Sequence, residues 1–396
     1  MDIEILNPHR LLYWCERLKM PSGAVEALAQ VSAEVCDSPA LLAKFTAFHH
    51  ATALRGEWHT DWSPLPFDPE VEAALGRRAS LFYLLAYLAA LPYAWQEYNR
   101  LGIDPSIFDA TLYDLTFYTL QATDVHGYWR FDQFMWVWRH LSVKLFRLGR
   151  LQYMLIPYHG HATAFRDRQS GEILLLCGPT IPLRADGWAQ GAGGTAAGPD
   201  EATWYAVYEE TAAGWHGNPI CPYGYALKEP VFLPRDRWEK ILTQGDTVLD
   251  LHIPRGHSLT AEECRASLRQ AHDFFAHFWP DQPFRAAFCH TWFFTPQLQA
   301  LLPPTSSIVN FQREFYLYPH AGGPQFLWSF VFGEKYPDRA TAPRDTSLRR
   351  AVLDWLAQGK ELFDLPGVLF HSPEEWGTQP YMRRWDRQRP QEGPVV

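Results

Sequence analysis

Cysteine is scarce in this sequence of 396 residues, which has six, and no two of them are spaced as CxxC. They lie far apart along the chain: Cys15, Cys36, Cys177, Cys221, Cys264 and Cys289. Disulfide-stapled domains and zinc ribbons need closely spaced cysteines, so this spacing argues against both classes. We expect a chain that folds without cross-links in a reducing compartment.

Charge is also low, at 20% of residues, and 35 Lys and Arg face 44 Asp and Glu. The formal net charge of −9 leaves no basic excess to displace counterions, so we expect no nucleic-acid partner. Hydrophobic residues make up 47% of the chain and aromatic residues 15%. That composition supplies large buried cores and is unlike the composition of a disordered chain.

A long hydrophobic run is missing as well. The longest uncharged apolar stretch, residues 79–96, carries Pro92 and is marginal for a membrane span, which needs about 20 apolar residues. We interpret this stretch as a buried helix. The N-terminal stretch begins with acidic residues instead of a basic start and an apolar run, so no secretory signal is expected. We predict a cytoplasmic protein without a membrane span.

Residues 1–147 are predicted to be all-helical, with five or six helices. Three segments begin with Ser or Asp followed by proline, at positions 38–39, 68–69 and 104–105. In such a start the side-chain oxygen caps free helix amides, and proline is tolerated in the first turn. After position 39 the apolar residues recur at spacings of three and four, as on the buried face of a helix.

The pattern changes near Gly149. Strand formers fill residues 151–165 and 173–178 on either side of a DRQSGE turn, which predicts a β-hairpin. A Gly/Ala-rich loop over residues 186–203 and a short helix over residues 235–242 are expected to follow.

Residues 247–333 predict the element order β-α-β-α-β-β. The four strands are expected over residues 247–254, 284–294, 308–318 and 325–333. The first two, which a helix connects, should be parallel, and the last two can be antiparallel. A further helix over residues 347–359 and a polar, Pro-rich, loosely ordered tail over residues 371–396 are expected after them.

Several phrases, in a fixed order, carry a resemblance to a known family. They are FRLGRLQY (146–153), NPICPYGYAL (218–227), GDTVLDLHIPRG (245–256), AFCHTWFFTPQLQALLP (287–303), NFQREF (310–315) and DTSLRRAVLDWL (345–356). The chain resembles bacterial two-part acyltransferases that have a helical N-acyltransferase N-terminal domain and a GNAT-like C-terminal domain. The resemblance covers nearly all of the chain up to about residue 360. It implies an α+β architecture: an all-helical domain over residues 1–147, then a GNAT-like α/β domain with a mixed, splayed central sheet over residues 148–370.

The resemblance also implies acyl transfer from a thioester. GNAT enzymes hold the CoA pyrophosphate on a Q/R-x-x-G-x-G/A turn, but residues 254–259 read PRGHSL, in which only Arg255 and Gly256 could serve. Glu262 and Glu263, in the first turn of the next helix, would repel a pyrophosphate. The candidate cofactor-binding residues are Leu251, Ile253, Arg255 and Gly256. Both CoA and a carrier protein stay open as the bearer of the thioester.

Candidate catalytic residues lie where the two central parallel strands should diverge. His252 lies near the end of the first strand, and Cys289 and His290 lie on the second. A histidine could remove a proton from an attacking amine or hydroxyl, and a cysteine could carry an acyl group. Because neighbours on a strand point to opposite faces, only one of Cys289 and His290 can share a pocket with His252. The alternative is that Cys289 is a core residue and the histidines hydrogen-bond the backbone.

Two further catalytic candidates are Glu209, at the end of the strand-like segment 204–210, and Tyr316, on the predicted strand 308–318. Glu209 would act as a base, and Tyr316 as an acid toward the leaving thiolate. An exposed strand end and a solvent-facing sheet surface explain the same two residues equally well. His159 and His161 have an H-x-H spacing without further ligands, so we predict no metal site.

The sequence therefore favours an acyltransferase that moves an acyl group directly from an acyl-CoA or acyl-carrier thioester, its co-substrate, to an amine or hydroxyl. The expected partners are a small-molecule acceptor, an acyl carrier protein and a second copy of the chain in a homodimer. A catalytically degenerate GNAT-fold protein that binds a ligand or a partner is the alternative, and the atypical phosphate turn favours it. A Cys-His hydrolase would lack an orienting acid.

Overall fold

The computed structural model describes residues 3–53, 67–192, 203–256, 259–333, 336 and 338–388. Most of the expected Gly/Ala-rich loop, from residue 193 to residue 202, lies outside the described residues, and so do His257 and Ser258 of the phosphate turn. The chain divides into two compact units, Met1–Arg147 and Leu148–Val396.

The described part of the first unit is helical. Its α-helices are α1 (Pro8–Arg17), α2 (Ser22–Asp37), α3 (Pro39–Ala53), α4 (Pro69–Leu75), α5 (Ala79–Leu88), α6 (Leu91–Leu101), α7 (Pro105–His126) and α8 (Phe134–Leu141). Short 3₁₀ turns lie at Glu4–Leu6 and Gly76–Arg78. Asp68 and Asp104 cap α4 and α7 by accepting hydrogen bonds from the amides of Glu70 and Ser106, and a proline follows each cap. The described helices outnumber the five or six expected because the apolar segment after Asp68 is divided into three.

The apolar stretch 79–96 forms α5 and the first half of α6. Every residue of α5 except Ser80 is buried. By length and composition alone the helical stretch Pro69–Leu101 could cross a membrane, but 72% of its most apolar window is buried inside the unit. This burial is typical of a core helix.

The second unit is built on a mixed sheet. Its strands in chain order are β1 (Phe146–Leu148), β2 (Leu151–Pro157), β3 (Thr163–Asp167), β4 (Ile173–Leu176), β5 (Pro182–Arg184), β6 (Thr203–Tyr205), β7 (Tyr208–Glu210), β8 (Gly214–Gly217), β9 (Val231–Pro234), β10 (Trp238–Leu242), β11 (Thr247–His252), β12 (Ala287–His290), β13 (Tyr316–Leu317) and β14 (Pro366–Leu369). Its helices are α9 (Ala261–Phe278), α10 (Leu298–Leu301), α11 (Ser307–Gln312), α12 (Gln325–Val331), α13 (Ser347–Ala357) and α14 (Pro380–Gln388). The main sheet has the strand order β1-β2-β11-β12-β14-β13.

The centre of this sheet is the predicted β-α-β unit. β11 and β12 are parallel, while β11 is antiparallel to β2 and β12 is antiparallel to β14. α9 connects the two parallel strands and begins with a capping box between Thr260 and Glu263. The hydroxyl groups of Tyr153 on β2 and Ser267 on α9 lie 3.1 Å apart within hydrogen-bonding distance, so α9 covers the sheet face to which Tyr153 points.

The described residues also form smaller sheets, and β3 and β4 of one of these sheets pack on the opposite face of the main sheet. The smaller sheets have the strand orders β10-β3-β4, β5-β6 and β7-β8-β9. β3 and β4 form the predicted hairpin. Val248, Tyr316 and Val368 of the main sheet share one buried hydrophobic cluster with Ala164 of β3 and Leu175 of β4. Burial of this apolar surface holds the second layer on the main sheet.

Residues 308–318 were predicted as a strand, but the structure has α11 and the two-residue β13 there. The alternation of polar and apolar residues is misleading because polar members of the segment are inside. Gln312 is fully buried, and its Nε2 donates to the main-chain oxygens of Phe293 and Thr295 at 2.8 Å. A polar side chain satisfied in this way costs little to bury.

Residues 325–333 were also predicted as a strand, but they contain α12. Leu327 and Val331 are buried, whereas Phe326 and Phe330 are exposed. Both pairs are four residues apart, so apolar residues on both helix faces conceal the helical period. The antiparallel partner of β12 is β14, which the sequence did not indicate.

Two shorter corrections concern residues 235–242 and the C-terminal segment. The expected helix at residues 235–242 is largely β10, which pairs with β3 and has a register shift between Lys240 and Leu242. Residues 371–388 were expected to be loosely ordered, but they form a 3₁₀ turn at Pro373–Glu375 and then α14. The segment folds onto the unit because Tyr381, Met382 and Trp385 form a buried stripe on an otherwise polar helix.

Candidate active site

The site is a gap in the main sheet between β11 and β12. The two strands pair only at Leu249 with Ala287 and at Asp250 with Phe288. Beyond these pairs β11 stays with β2 as far as His252, and β12 stays with β14 as far as His290. The parallel strands therefore separate at their carboxyl ends, as expected for the splayed sheet that the resemblance implies. Such ends are where ligands bind in open α/β sheets.

The register decides which side chains border the gap. Paired residues of neighbouring strands point to the same face, and every second residue does so along a strand. Asp250, His252, Phe288 and His290 therefore share one face. Cys289 points to the opposite face, with Leu251. The sequence-based rule that only one of Cys289 and His290 can accompany His252 thus selects His290.

His252 is paired with a carboxylate on its own strand. Its Nε2 lies 2.8 Å from Oδ2 of Asp250, in hydrogen-bonding geometry. The side chain of Asp250 is only 10% exposed and that of His252 is 23% exposed. A carboxylate that binds an imidazole in this way fixes the orientation of the ring, which suits a general base. The D-x-H spacing on a strand was a signal for Asp250 that the sequence analysis missed.

His290 has a second carboxylate nearby, on a distant part of the chain. Its Nε2 lies 3.0 Å from Oδ2 of the buried Asp364. The two atoms are within ion-pair distance, but their geometry is not that of a hydrogen bond. The His290 ring also contacts His320 at 4.9 Å and Phe326 at 5.7 Å between ring centroids. Burial, and then the neighbouring His290, lower the pKa of His320.

Cys289 is fully buried on the face that α9 covers. Burial raises the pKa of its thiol well above the usual value, and the nearby carboxylates of Asp250 and Asp364 add to the effect. Only a thiolate attacks a thioester efficiently. The position and the raised pKa both disfavour Cys289 as an acyl carrier, which matches the core role given as the alternative.

Glu209 lies on β7, in the separate sheet β7-β8-β9. Its side chain is 68% exposed and lies 4.0 Å from Nδ1 of His216 on the neighbouring strand β8. Glu210 binds Arg235 and Lys240 at 2.6 Å each. These cations lower the pKa of Glu210 to about 2. The structure does not bring Glu209 together with the residues of the gap.

Tyr316 is buried on β13, two strands from β12 in the sheet order. Its hydroxyl group donates to the main-chain oxygen of Ile220. The ring lines a cavity of about 320 Å³ beside Tyr381 and His371. Tyr316 thus lines a cavity in the second layer, and its hydrogen bond to Ile220 holds that loop.

The candidate cofactor-binding residues follow β11. Leu249 N–H donates to Ala286 at 2.9 Å, so odd-numbered residues of β11 direct their main-chain groups toward β12. Ile253 comes after the last pair, and among the described residues nothing accepts a hydrogen bond from its N–H. Leu251 is fully buried beside Tyr153 and contributes only main-chain atoms to this edge.

Arg150 stabilises the turn after Ile253 by a hydrogen bond. The guanidinium group of this buried residue donates to the main-chain oxygen of Pro254 at 2.7 Å. Arg255 is exposed and lies against Phe330 of α12, and a Cβ at Gly256 would meet open space. Arg150 was not predicted from the sequence, because it lies outside the turn motif and only the fold brings it there.

The N-terminus of α9 is already occupied by its own side chains. Glu263 Oε2 accepts from the hydroxyl group of Thr260 at 2.7 Å and from its amide at 3.3 Å. An anion at this helix end would have to displace a carboxylate, as the sequence indicated. The described residues hold no group of three or more His, Cys, Asp or Glu that could bind a metal ion.

Comparison with known proteins agrees with this architecture. Residues 145–369 match the family described as "GNAT-like C-terminal domain", and residues 10–143 match the "N-acyltransferase N-terminal domain". The chain belongs to the family with a GNAT-like C-terminal domain, preceded by an N-acyltransferase N-terminal domain. The predicted family and α+β fold class are therefore confirmed. None of the curated proteins matches the chain.

Solved structures of similar fold are acyltransferases. One, in complex with decanoyl-CoA, has a TM-score of 0.62 at 21% identity, over 91% of this chain and 88% of that chain. A mutant in complex with octanoyl-CoA has a TM-score of 0.62 at 21% identity, over 90% and 86%. A complex with decanoyl-CoA and teicoplanin has a TM-score of 0.61 at 21% identity, over 90% and 85%. At this identity the similarity establishes the fold.

Proposed function

We propose that this protein is an acyl-CoA-dependent acyltransferase that transfers the acyl group directly to an amine or hydroxyl of a small molecule. The observation that carries the proposal is the end of the β11–β12 ladder at Asp250 and Phe288, with His252 and His290 on one face beyond it. Both histidines have a carboxylate within 3.0 Å. A slot between parallel strands, bordered by imidazoles, suits two substrates that must meet in a fixed geometry.

The donor is a CoA thioester rather than a carrier-bound one. The similar solved acyltransferases hold octanoyl-CoA and decanoyl-CoA, which supports this choice. The N–H of Ile253 polarises the thioester carbonyl in this proposal. Two observations support the role: Ile253 directly follows β11, and its N–H has no acceptor among the described residues. Arg255 supplies positive charge for the phosphates in place of the usual glycine-rich turn.

His252 acts as the general base. Oriented by Asp250, its imidazole takes the proton from the attacking N–H or O–H as the new C–N or C–O bond forms. The C–S bond breaks, and CoA leaves as a thiolate that His290, across the gap, protonates. Direct transfer of this kind needs no covalent enzyme intermediate, which is consistent with the buried position of Cys289.

The proposal is tested by measuring binding and turnover separately. Isothermal titration with CoA, octanoyl-CoA and decanoyl-CoA should give saturable binding, and release of free thiol should rise when a panel of amines and alcohols is added. Binding without thiol release for any acceptor would favour the degenerate binding protein. Binding of none of the three would contradict the CoA-dependent proposal.

A further inference from the structure

Two exposed phenylalanines of α12 lie beside residues of the proposed site. Phe326 is 54% exposed and Phe330 is 48% exposed, and they are one helical turn apart on the same face. Leu327 and Val331 anchor the other face of the helix in a buried cluster. Exposed aromatic rings on an anchored helix form a surface that a ligand can cover without reorganising the fold.

The two rings lie between His290 and Arg255, which are the two ends of the proposed site. The Phe326 ring lies 5.7 Å from the ring of His290. The guanidinium carbon of Arg255 lies 5.8 Å from the centroid of the Phe330 ring. A guanidinium nitrogen of Arg255 also donates to the main-chain oxygen of Phe330 at 3.5 Å. No carboxylate of the described residues pairs with Arg255. One end of this aromatic face therefore adjoins an imidazole and the other adjoins a positive charge that an anion can approach.

The length of this face matches one part of a CoA thioester. The Cβ atoms of residues four apart on a helix lie about 6 Å from each other, and each ring lies within about 6 Å of its neighbour in the site. Where the two contacts extend in opposite directions along the helix, the imidazole and the guanidinium lie on the order of 18 Å apart. From the diphosphate to the sulfur, CoA has about thirteen bonds, and an extended chain advances roughly 1.2 Å per bond, or about 16 Å in all. The segment between those two points is the pantetheine arm, with amide and aliphatic groups that pack on aromatic rings.

We infer that Phe326 and Phe330 form the wall along which the pantetheine arm of the donor lies, with the diphosphate at Arg255 and the sulfur at His290. The inference rests on the proposed function and adds to it the residues that bind the arm. The acyl chain extends beyond the sulfur, away from this wall. The contribution of Phe326 and Phe330 to the affinity for the donor is therefore independent of the length of the acyl chain.

Titration calorimetry with CoA and with decanoyl-CoA tests the inference. Phe326→Ala and Phe330→Ala should each raise the dissociation constant of both ligands by the same factor, roughly fivefold. Arg255→Gln should weaken both ligands too, most strongly at low salt. The matched control is Phe232→Ala, because Phe232 is 50% exposed on β9 and has no place in the site.

The outcomes separate this inference from the proposed function. Unchanged affinity in both phenylalanine variants would overturn the inference and leave the acyltransferase proposal standing. A loss for decanoyl-CoA alone would also overturn it, since the rings would then bind the acyl chain. Failure of the native chain to bind either ligand would overturn the proposed function itself. All four substitutions replace exposed side chains, so the variants are expected to stay folded.

Discussion

Asp250 and Phe288 are the last residues at which β11 and β12 pair, although both strands continue for two more residues beside their outer neighbours. In an uninterrupted ladder, His252 and His290 would stand opposite each other at the ordinary strand separation of roughly 5 Å. The early end of the ladder moves the two imidazoles apart. Each strand stays anchored to the rest of the sheet by its outer neighbour, β2 or β14.

Replacing the proposed base should reduce turnover without reducing donor binding. We expect His252→Gln to lower kcat by about 10²-fold or more, because general-base catalysis contributes about 10² to 10⁴. Asp250→Asn should cost less, roughly tenfold, since it removes orientation and leaves the imidazole. Thiol release at saturating decanoyl-CoA gives kcat, and calorimetry gives the dissociation constant, which should stay within about twofold.

His277→Gln is the control for these variants, because His277 is an exposed histidine in the last turn of α9. It should retain native kcat. A His252→Gln variant that also retains native kcat would contradict the assignment of the base. If His290→Gln alone abolished turnover, the roles of the two histidines would be exchanged.

Cys289 should be inert to thiol reagents in the folded protein. It is buried on the α9 side of the sheet, and burial raises the pKa of its thiol, so little thiolate exists near neutral pH. Iodoacetamide at pH 7.5, followed by mass spectrometry of peptides, should label the exposed Cys36 and leave Cys289 unmodified. An acyl adduct on Cys289 after incubation with decanoyl-CoA would refute direct transfer.

The sequence predicted the centre of the fold better than its borders. The apolar run of β11, the capping box at Thr260 and the strand at Cys289 are local signals, so the parallel pair was predicted from the sequence, with His252 near the end of its first strand. Asp364 could not be found, because it reaches His290 from 74 positions further along the chain by tertiary folding alone. The face of α12 was missed for a different reason: apolar residues on both of its sides imitate a strand.

The pKa of Glu210 predicts a small contribution to stability that depends on pH. Lys240 and Arg235 lower the pKa of this carboxyl to about 2 from a usual value of 4.5. A lowered folded pKa stabilises the fold above the unfolded value, and the contribution is lost as pH falls from about 4.5 toward 2. Glu210→Gln should therefore lower the free energy of unfolding at pH 7 by less than about 1 kcal/mol, since the group is partly exposed.

Urea denaturation at pH 7 and pH 3, followed by tryptophan fluorescence, measures this effect. The difference between native protein and Glu210→Gln should shrink at pH 3. Glu209→Gln is the matched control, since the adjacent Glu209 carboxylate is more exposed than that of Glu210 and lies 4.0 Å from Nδ1 of His216. It should be neutral for stability. An equal loss in both variants at both pH values would show that the ion pairs of Glu210 contribute nothing specific.

The C-terminal helix α14 should be part of the stable unit rather than an appendage. Met382 is completely buried, and the hydroxyl oxygen of Tyr381 accepts a hydrogen bond from the Phe370 amide at 2.7 Å. Met382→Ala removes buried apolar volume and should lower the free energy of unfolding by about 2 to 4 kcal/mol. Arg387→Ala, on the exposed side of the same helix, should change it by less than about 0.5 kcal/mol. Urea unfolding of the full chain compares the two variants. Equal stability of both would mean that α14 does not hold the unit together, because only the buried stripe of the helix distinguishes Met382 from Arg387.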